Sequence, residues 1–178
     1  MGPAPAKVVT LDTSAVNAIL KAHNDIRKSH GVPPLVWDKK IAKHAVGWAA
    51  HSMKFTNFQA TDGDNGNPHH GDHAGYGQNL AWKYSSSPFK SIPFASLVAL
   101  WNSEPIPTTP GTYNHVTQVL WKTTKSVGCA VAAGPNPHPD PSQPAYLNDI
   151  ILVCDYYPPG NYYGQQWNTA TKLTKDQR

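Results

Sequence analysis

The sequence predicts an α+β domain in which helices cover one β-sheet. Segments with helical periodicity come first along the chain, and strand-like apolar runs follow them. Helices grouped before strands, rather than alternating with them, are typical of this fold class. The 178 residues suit one compact domain with elaborate loops. We therefore expect a flexible N-terminal segment over residues 1–12, one domain over 13–170 and a tail over 171–178.

Three amphipathic helices are predicted, because apolar side chains recur at three- and four-residue spacing in three segments. These segments run from about Thr13 to His30, from Asp38 to about Met53 and from Pro93 to Ser103. Thr13 or Ser14 is the predicted N-cap of the first helix, and Asp38 is the predicted N-cap of the second.

Strand-like runs are predicted over His115–Trp121, Ser126–Ala132 and Tyr146–Asp155. The last run is apolar without alternation, so we expect both of its faces to be buried. Between the first two helices and the third lies a long turn-forming loop, Asn57 to Tyr76, which is rich in histidine. Loops of this length in a compact domain are usually functional or mobile.

Charge and hydropathy argue against two classes of protein, those that bind nucleic acid and those that span a membrane. The chain has 15 Lys and Arg against 11 Asp and Glu, and Lys39, Lys40 and Lys43 form the densest basic group. These lysines are not interleaved with stacking aromatic residues, so we expect no nucleic-acid binding. No apolar run approaches the roughly 18 residues of a spanning helix, so we expect no membrane span. Residues 1–7 contain no apolar core of a signal peptide, so we expect any secretion signal to have been removed.

The two cysteines, Cys129 and Cys154, each lie in a strand-like run. An isolated pair on neighbouring strands favours one disulfide, and hence an oxidising compartment. Two buried thiols are the alternative interpretation.

Five short motifs occur in an order that identifies a family. They are His23-Asn24-Asp25-Ile26-Arg27, Gly77-Gln78-Asn79-Leu80-Ala81, Trp101-Asn102-Ser103-Glu104, Asn114 to Trp121, and Cys154 to Asn161. Together they closely resemble the CAP superfamily, which comprises the cysteine-rich secretory, antigen 5 and pathogenesis-related class 1 proteins. The resemblance covers about Ala15 to Gln166, and the single cysteine pair is more similar to fungal members than to the disulfide-rich plant proteins.

The resemblance implies a three-layer α-β-α sandwich with helices packed on a central, mainly antiparallel sheet, and a secreted, extracellular protein. It also implies a cleft that holds two histidines and two glutamates. By motif position His73 and His115 take the places of the histidines, while Gln78 and Glu104 take those of the glutamates. The two imidazoles would bind a divalent metal such as Zn²⁺ weakly, and no cofactor is required.

Gln78 departs from the family pattern, because a neutral amide replaces a carboxylate. Its loss of charge predicts weaker cation binding and leaves Glu104, the single glutamate of the chain, as the one carboxylate of the four residues. Simpler interpretations stay open: His115 as an ordinary strand histidine, His73 as a polar loop residue, and Glu104 as a cap or a salt-bridge partner. His69 and His70 are interpreted as hydrated loop histidines, with a role as extra metal ligands as the alternative, and His44 and Trp48 are interpreted as packing partners.

The function that the resemblance implies is that of a non-enzymatic protein that binds small hydrophobic ligands in host interaction or defence. Sterol binding is not favoured, because the loop from Pro105 to Asn114 is short and holds one aromatic residue, whereas a fatty-acid groove between helices is unaffected. Two alternatives are kept. One is a metal-dependent hydrolase that uses His73, His115 and Glu104. The other is a module whose proline-rich loop or Pro158–Asn161 segment binds a host protein.

Overall fold

The computed structural model describes residues 5–54, 74–109, 111–137, 139, 142, 144 and 147–162, and these form a three-layer α-β-α sandwich. Its helices are α1 (Thr13–Ser29), α2 (Lys39–Ser52), α3 (Phe94–Asn102) and α4 (His115–Val119). Its strands are β1 (Lys7–Val9), β2 (Val36–Trp37), β3 (Gly77–Ser85), β4 (Ser126–Pro135) and β5 (Asn148–Tyr157). Within the described ranges, no helix has the length and apolar character needed to cross a membrane.

The sheet is mainly antiparallel, as expected. Its strand order is β1-β4-β5-β3, and β2 adds a short parallel pairing to β4. Along β5, Ile150, Leu152 and Cys154 pack into the core cluster that contains α1 and α3, while Ile151 and Val153 pack into the cluster beneath α2. Because side chains alternate between the two faces of a strand, β5 is buried on both sides. This confirms the interpretation of its unbroken apolar sequence.

The N-cap of α1 is Asp12 rather than Thr13 or Ser14. Its carboxylate accepts a hydrogen bond from the backbone N–H of Ala15 at 2.8 Å. Thr13 and Ser14 lie inside the first turn, so the predicted cap was one to two residues late. Asp38 does cap α2, because its side chain accepts from the backbone N–H groups of Lys40 and Ile41.

The predicted strand His115–Trp121 is wrong, because His115–Val119 forms the helix α4. Asn114 and Thr117 make reciprocal side-chain to backbone hydrogen bonds, a capping box that starts a helical turn. Val116, Val119 and Leu120 are buried, and their spacing places them on one helical face. The β-branched residues of this segment suggested a strand, but the capping box determines its conformation.

Three strands were not predicted. β1 lies within residues 1–12, which were expected to be flexible, and its residues Lys7–Val9 pair with Val131–Ala133 of β4. β2 contains two residues, too few for a pattern. β3 carries the polar pair Gln78 and Asn79 at buried positions, so its sequence lacks the apolar alternation of a strand.

Two local features hold α2 and the two central strands together. Cys129 and Cys154 are directly opposite in the β4–β5 register and form a disulfide, as predicted. On the α2 side, a Cβ atom on Gly128 would lie 2.1 Å from the backbone nitrogen of Ala42. Glycine at this position therefore permits the helix to pack directly on β4.

A buried hydrogen-bond network links α1 to the sheet through His23. Its Nδ1 lies 2.8 Å from the carbonyl oxygen of Ile19, and its Nε2 lies 2.8 Å from the Tyr156 hydroxyl. Because a carbonyl only accepts, Nδ1 carries the proton and the hydroxyl donates to Nε2. Asn79 in turn donates to the Tyr156 oxygen at 3.4 Å. Burial lowers the pKa of His23 from 6.5 to about 4, so this imidazole is neutral in the folded protein at neutral pH.

We predict that the protein loses stability in mild acid because of His23. Between pH 6.5 and about 4 the unfolded chain binds a proton at this residue that the folded chain does not. The free energy of unfolding should fall by about 3 kcal/mol across that window as pH decreases. Urea unfolding at a series of pH values measures this slope. His23→Gln should flatten it and His51→Gln should not, whereas an unchanged slope in His23→Gln would contradict the assignment.

Candidate functional site

Glu104 and His115 form a close pair at the start of α4. Glu104 Oε1 lies 2.6 Å from His115 Nδ1, and the two side chains are 27% and 39% exposed. Glu104 Oε2 accepts from the backbone N–H of His115 at 2.9 Å and from that of Val116 at 3.4 Å. Glu104 therefore both caps α4 and orients the imidazole. The two interpretations of this carboxylate, as a cap and as a site residue, are compatible.

The pair leaves one nitrogen of His115 available. Because the carboxylate accepts at Nδ1, the neutral tautomer carries its proton there and presents the lone pair of Nε2. The ring stacks on Trp101, with 6.4 Å between the ring centroids and 21° between the ring planes. Trp101 is itself fixed by a 2.8 Å hydrogen bond from its indole N–H to the carbonyl oxygen of Leu80. The imidazole is therefore held in one orientation on a rigid support.

Gln78 lies in a different network, together with Asp155 and His44. Its amide nitrogen donates to Asp155 Oδ1 at 2.8 Å, and Asp155 Oδ2 lies 2.6 Å from His44 Nδ1. Asp155 is fully buried, while the side chain of His44 is 28% exposed and packs against the edge of Tyr76. His44 therefore has the same arrangement as His115, with a carboxylate at Nδ1.

The two networks lie on opposite faces of the sheet. Gln78 and Asp155 are register partners in β3 and β5, so their side chains share a face. Val153, two residues before Asp155, packs beneath α2, whereas Trp101, which supports His115, belongs to the core on the other side. The structure thus brings Glu104 and His115 together and directs Gln78 to the α2 face.

Several predicted residues lie outside the described part of the chain. They are His73, His69 and His70. Within the described ranges, no group of three or more His, Cys, Asp or Glu side chains is arranged to hold a metal ion.

The pairing of His44 with Asp155 was not predicted from the sequence. His44 was interpreted as a packing partner of Trp48, but the Trp48 ring stacks on His51. The motif around Cys154 contained Asp155, but its partner could be identified only from the register of β3 against β5. That register places a carboxylate directly opposite the amide at position 78.

A groove of about 470 Å³ lies at the edge of β4, and we call it the edge groove. On the side of β4 that faces away from β5, β1 pairs as far as Val131 and β2 pairs at Val127, so on that side Gly128–Ala130 has no partner strand among the described residues. The opening between these two short strands is bounded by the β1–α1 connection and by α2. Its apolar lining includes Val8, Val9, Leu11, Val16, Trp37 and Val46.

The charged side chains that line the edge groove are Lys39 and Lys43. Asp12 and Asp38, close by in sequence, direct their carboxylates to the N-termini of α1 and α2. A second groove of about 520 Å³ lies between β1 and residues 88–92, and its lining includes Phe89. Unlike the second groove, the edge groove extends to Cys129, a buried residue of β4.

The loop from Pro105 to Asn114 packs on the domain. Asn114 donates to the carbonyl oxygen of Pro105 at 2.8 Å. Its single aromatic residue, Tyr113, contacts Trp121 edge-on and donates its hydroxyl to the carbonyl oxygen of Tyr162. This loop therefore turns its aromatic ring towards the domain.

Comparisons with known proteins agree with this fold. The family model described as the cysteine-rich secretory protein family, CAP, matches residues 20–156. Fruiting body protein SC7 of Schizophyllum commune is 33% identical over 153 residues, which cover 83% of this chain and 66% of that protein. Secreted protein RBT4 of Candida albicans is 31% identical over 166 residues, 89% of this chain and 39% of that protein. The chain thus spans less than two thirds of the length of these relatives.

A plant relative and solved structures are also similar. The basic form of pathogenesis-related protein 1 of Nicotiana tabacum is 29% identical over 154 residues, 83% of this chain and 72% of that protein. The crystal structure of NaASP2 with Zn²⁺ superimposes with a TM-score of 0.63 at 17% identity, covering 94% of this chain and 95% of that one. The structure of BmVAL-1 gives a TM-score of 0.60 at 16% identity, covering 86% and 81%. At these identities the solved structures support the fold alone.

We predict that Gln78→Glu destabilises the protein at neutral pH. The new carboxylate would face Asp155 in a buried position and could not donate a hydrogen bond to it. We expect a loss of about 2 kcal/mol or more in the free energy of unfolding. The loss should shrink as pH falls, because repulsion raises the pKa of the introduced acid and its protonated form donates.

The matched control is the double variant Gln78→Glu/Asp155→Asn, which exchanges the amide and the carboxylate. It should recover part of the lost stability, and urea unfolding of the full double-mutant cycle measures the coupling. Additive effects of the two substitutions would show that the two side chains do not interact.

Proposed function

Because this chain belongs to the CAP family of cysteine-rich secretory proteins, we propose that it is an extracellular, non-enzymatic protein that binds a small hydrophobic ligand. The similarity to secreted protein RBT4 of Candida albicans supports the extracellular location. The disulfide between Cys129 and Cys154 also suits an oxidising compartment.

The edge groove is the observation that carries the proposal. Its volume of about 470 Å³ is within the range of small-molecule sites, which are concave and largely apolar. Its lining comes from α1, α2 and the sheet, so rigid elements form its walls. A single acyl chain would bury apolar surface there at about 25 cal/mol per Å².

A fatty acid suits this groove better than a sterol does. The groove combines an apolar floor with Lys39 and Lys43, which would pair with a carboxylate. The loop from Pro105 to Asn114 offers little apolar area to a steroid, since Tyr113 packs on Trp121.

The chemistry of the described residues favours binding over catalysis. Both cysteines are in the disulfide, so neither is a thiol nucleophile. Glu104 has both oxygens engaged by His115 and the start of α4, so it acts as a positioning group rather than as a general base.

Weak binding of a divalent metal at His115 is a second candidate function. The Nδ1 bond to Glu104 is the arrangement that orients metal-ligating histidines, and it leaves Nε2 for the ion. His73 is the proposed second ligand, from the sequence motif. Two imidazoles suit Zn²⁺, and solvent would complete its coordination.

The Pro158–Asn161 segment, considered above as a segment that binds a host protein, packs against the rest of the domain. The backbone N–H of Gly160 donates to the side chain of Gln118 at 2.9 Å, and Asn161 donates to the carbonyl oxygen of Asn114 at 3.1 Å. These contacts favour a ligand-binding domain over a module that presents this segment.

We predict that a dansyl-labelled fatty acid binds the protein and is displaced by palmitic acid. Filling the edge groove with Ala42→Phe should weaken binding by about 10-fold or more, because the acyl chain loses its cavity. Val46→Trp is the second test, since Val46 is 40% exposed and tolerates a larger side chain. Fluorescence titration measures both affinities.

The control is Ser91→Trp in the second groove, which should leave affinity unchanged. Loss of binding in Ser91→Trp alone would move the ligand to that groove, and absence of binding by the wild-type protein would contradict the proposed function.

We also predict that Zn²⁺ binds weakly and that His115→Ala abolishes its binding heat in titration calorimetry. Glu104→Gln should weaken affinity by about 10- to 100-fold, the usual effect of removing the group that orients a ligand. Binding should decrease in acid, because ligation requires neutral imidazole. His44→Ala is the control on the other face of the sheet, and equal losses in both histidine variants would contradict the assignment.

A further inference from the structure

We infer that the mouth of the edge groove docks on the anionic surface of a lipid bilayer through Lys39, Lys43 and Val46. We call these three residues the basic rim. The inference rests on the proposed function, because the bilayer would be the source of the lipid that binds in the groove.

The basic rim is one stripe along α2. Its members are separated by four and three residues, so they lie on the same helical face. All three are exposed, and all three line the edge groove. The stripe therefore borders the opening of the edge groove, next to its apolar lining.

The positive charge of the rim is not neutralised by ion pairs in the described part of the chain. The ion pairs there are Lys21–Asp25, His44–Asp155 and Glu104–His115, and none involves Lys39 or Lys43. The adjacent Asp38 accepts from the backbone N–H of Lys40 at 2.7 Å, so its charge faces the helix N-terminus. Lys40 adds a further exposed cation on the next position of α2.

The composition of the rim favours a bilayer over a free anion. A dissolved anion needs only cationic donors, but Val46 is 40% exposed at the same opening. Cations with an apolar side chain suit an interface where anionic headgroups lie above acyl chains. An apolar ligand is also sparingly soluble, so a groove that opens on the membrane shortens its path through water.

Vesicle flotation tests the inference, using phosphatidylcholine alone and phosphatidylcholine mixed with phosphatidylglycerol. The wild-type protein should bind the mixed vesicles, bind the neutral vesicles far less, and be released by high salt. The rim variant Lys39→Gln/Lys43→Gln should bind about 10- to 30-fold more weakly, from the contribution of each lysine near an anionic surface.

The matched control is Lys28→Gln/Lys122→Gln, which removes the same charge from exposed positions outside the groove. It should weaken binding by about three-fold or less. Equal losses in the two double variants would overturn the inference, because binding would then follow net charge. Equal binding of the wild-type protein to both kinds of vesicle would also overturn it.

A second variant tests the apolar part of the rim. Val46→Ser keeps the charge of the protein and should reduce binding to the mixed vesicles; unchanged binding would overturn the role of Val46.

The solution titration with the labelled fatty acid separates the two proposals. Fatty-acid binding without vesicle binding would overturn docking and leave the proposed function standing. Vesicle binding that depends on the rim, without fatty-acid binding, would support docking and contradict the proposed function.

Discussion

The buried guanidinium of Arg27 fixes α1 to the segment that carries the site. It donates to the carbonyl oxygens of Pro33 at 2.6 Å, Val119 at 2.7 Å, Trp121 at 3.0 Å and Thr124 at 3.1 Å. Burial lowers the pKa of Arg27 to about 10, so the group stays charged at neutral pH. These carbonyls lie at or beyond the ends of α1 and α4, and one charged side chain donates to all four of them. The end of α4, and with it the orientation of the site, depends on this cation.

His23 and Asn24, in the same motif, have the same kind of role. Asn24 bridges both backbone groups of Leu35, donating to its oxygen at 3.0 Å and accepting from its N–H at 2.7 Å. His23 joins α1 to Tyr156, and Asn79 donates to both the Tyr156 hydroxyl and the carbonyl oxygen of His115. The side chains of this first family motif therefore form hydrogen bonds with backbone groups and with other buried polar groups. His23 joins α1 to β5, Asn24 joins it to the residue before β2, and Arg27 joins it to the end of α4.

The parts of the fold that follow from local rules were predictable, and the parts that depend on distant partners were not. Asp38 was recognised because a capping side chain and its helix are adjacent in sequence. The helical state of α4 was missed, although its cap at Asn114 is local, because five residues carry too little periodicity. Glu104 bonds to the first residue of α4 at a sequence separation of 11, and Gln78 bonds to Asp155 at a sequence separation of 77. Such pairs require the register of the sheet, which composition and spacing do not determine.

The carboxylate of Asp155 explains why an amide is suited to position 78, because the amide nitrogen of Gln78 donates to it. A carboxylate is present in this part of the sheet, but it stands on β5 instead of β3 and holds His44 rather than His115. Among the described residues, Glu104 is the carboxylate that contacts His115, and its two oxygens are divided between the imidazole and the start of α4. The edge groove is formed by other residues, in the gap between the two short strands β1 and β2. The groove proposed for an apolar ligand is therefore built independently of the residues at positions 78 and 155.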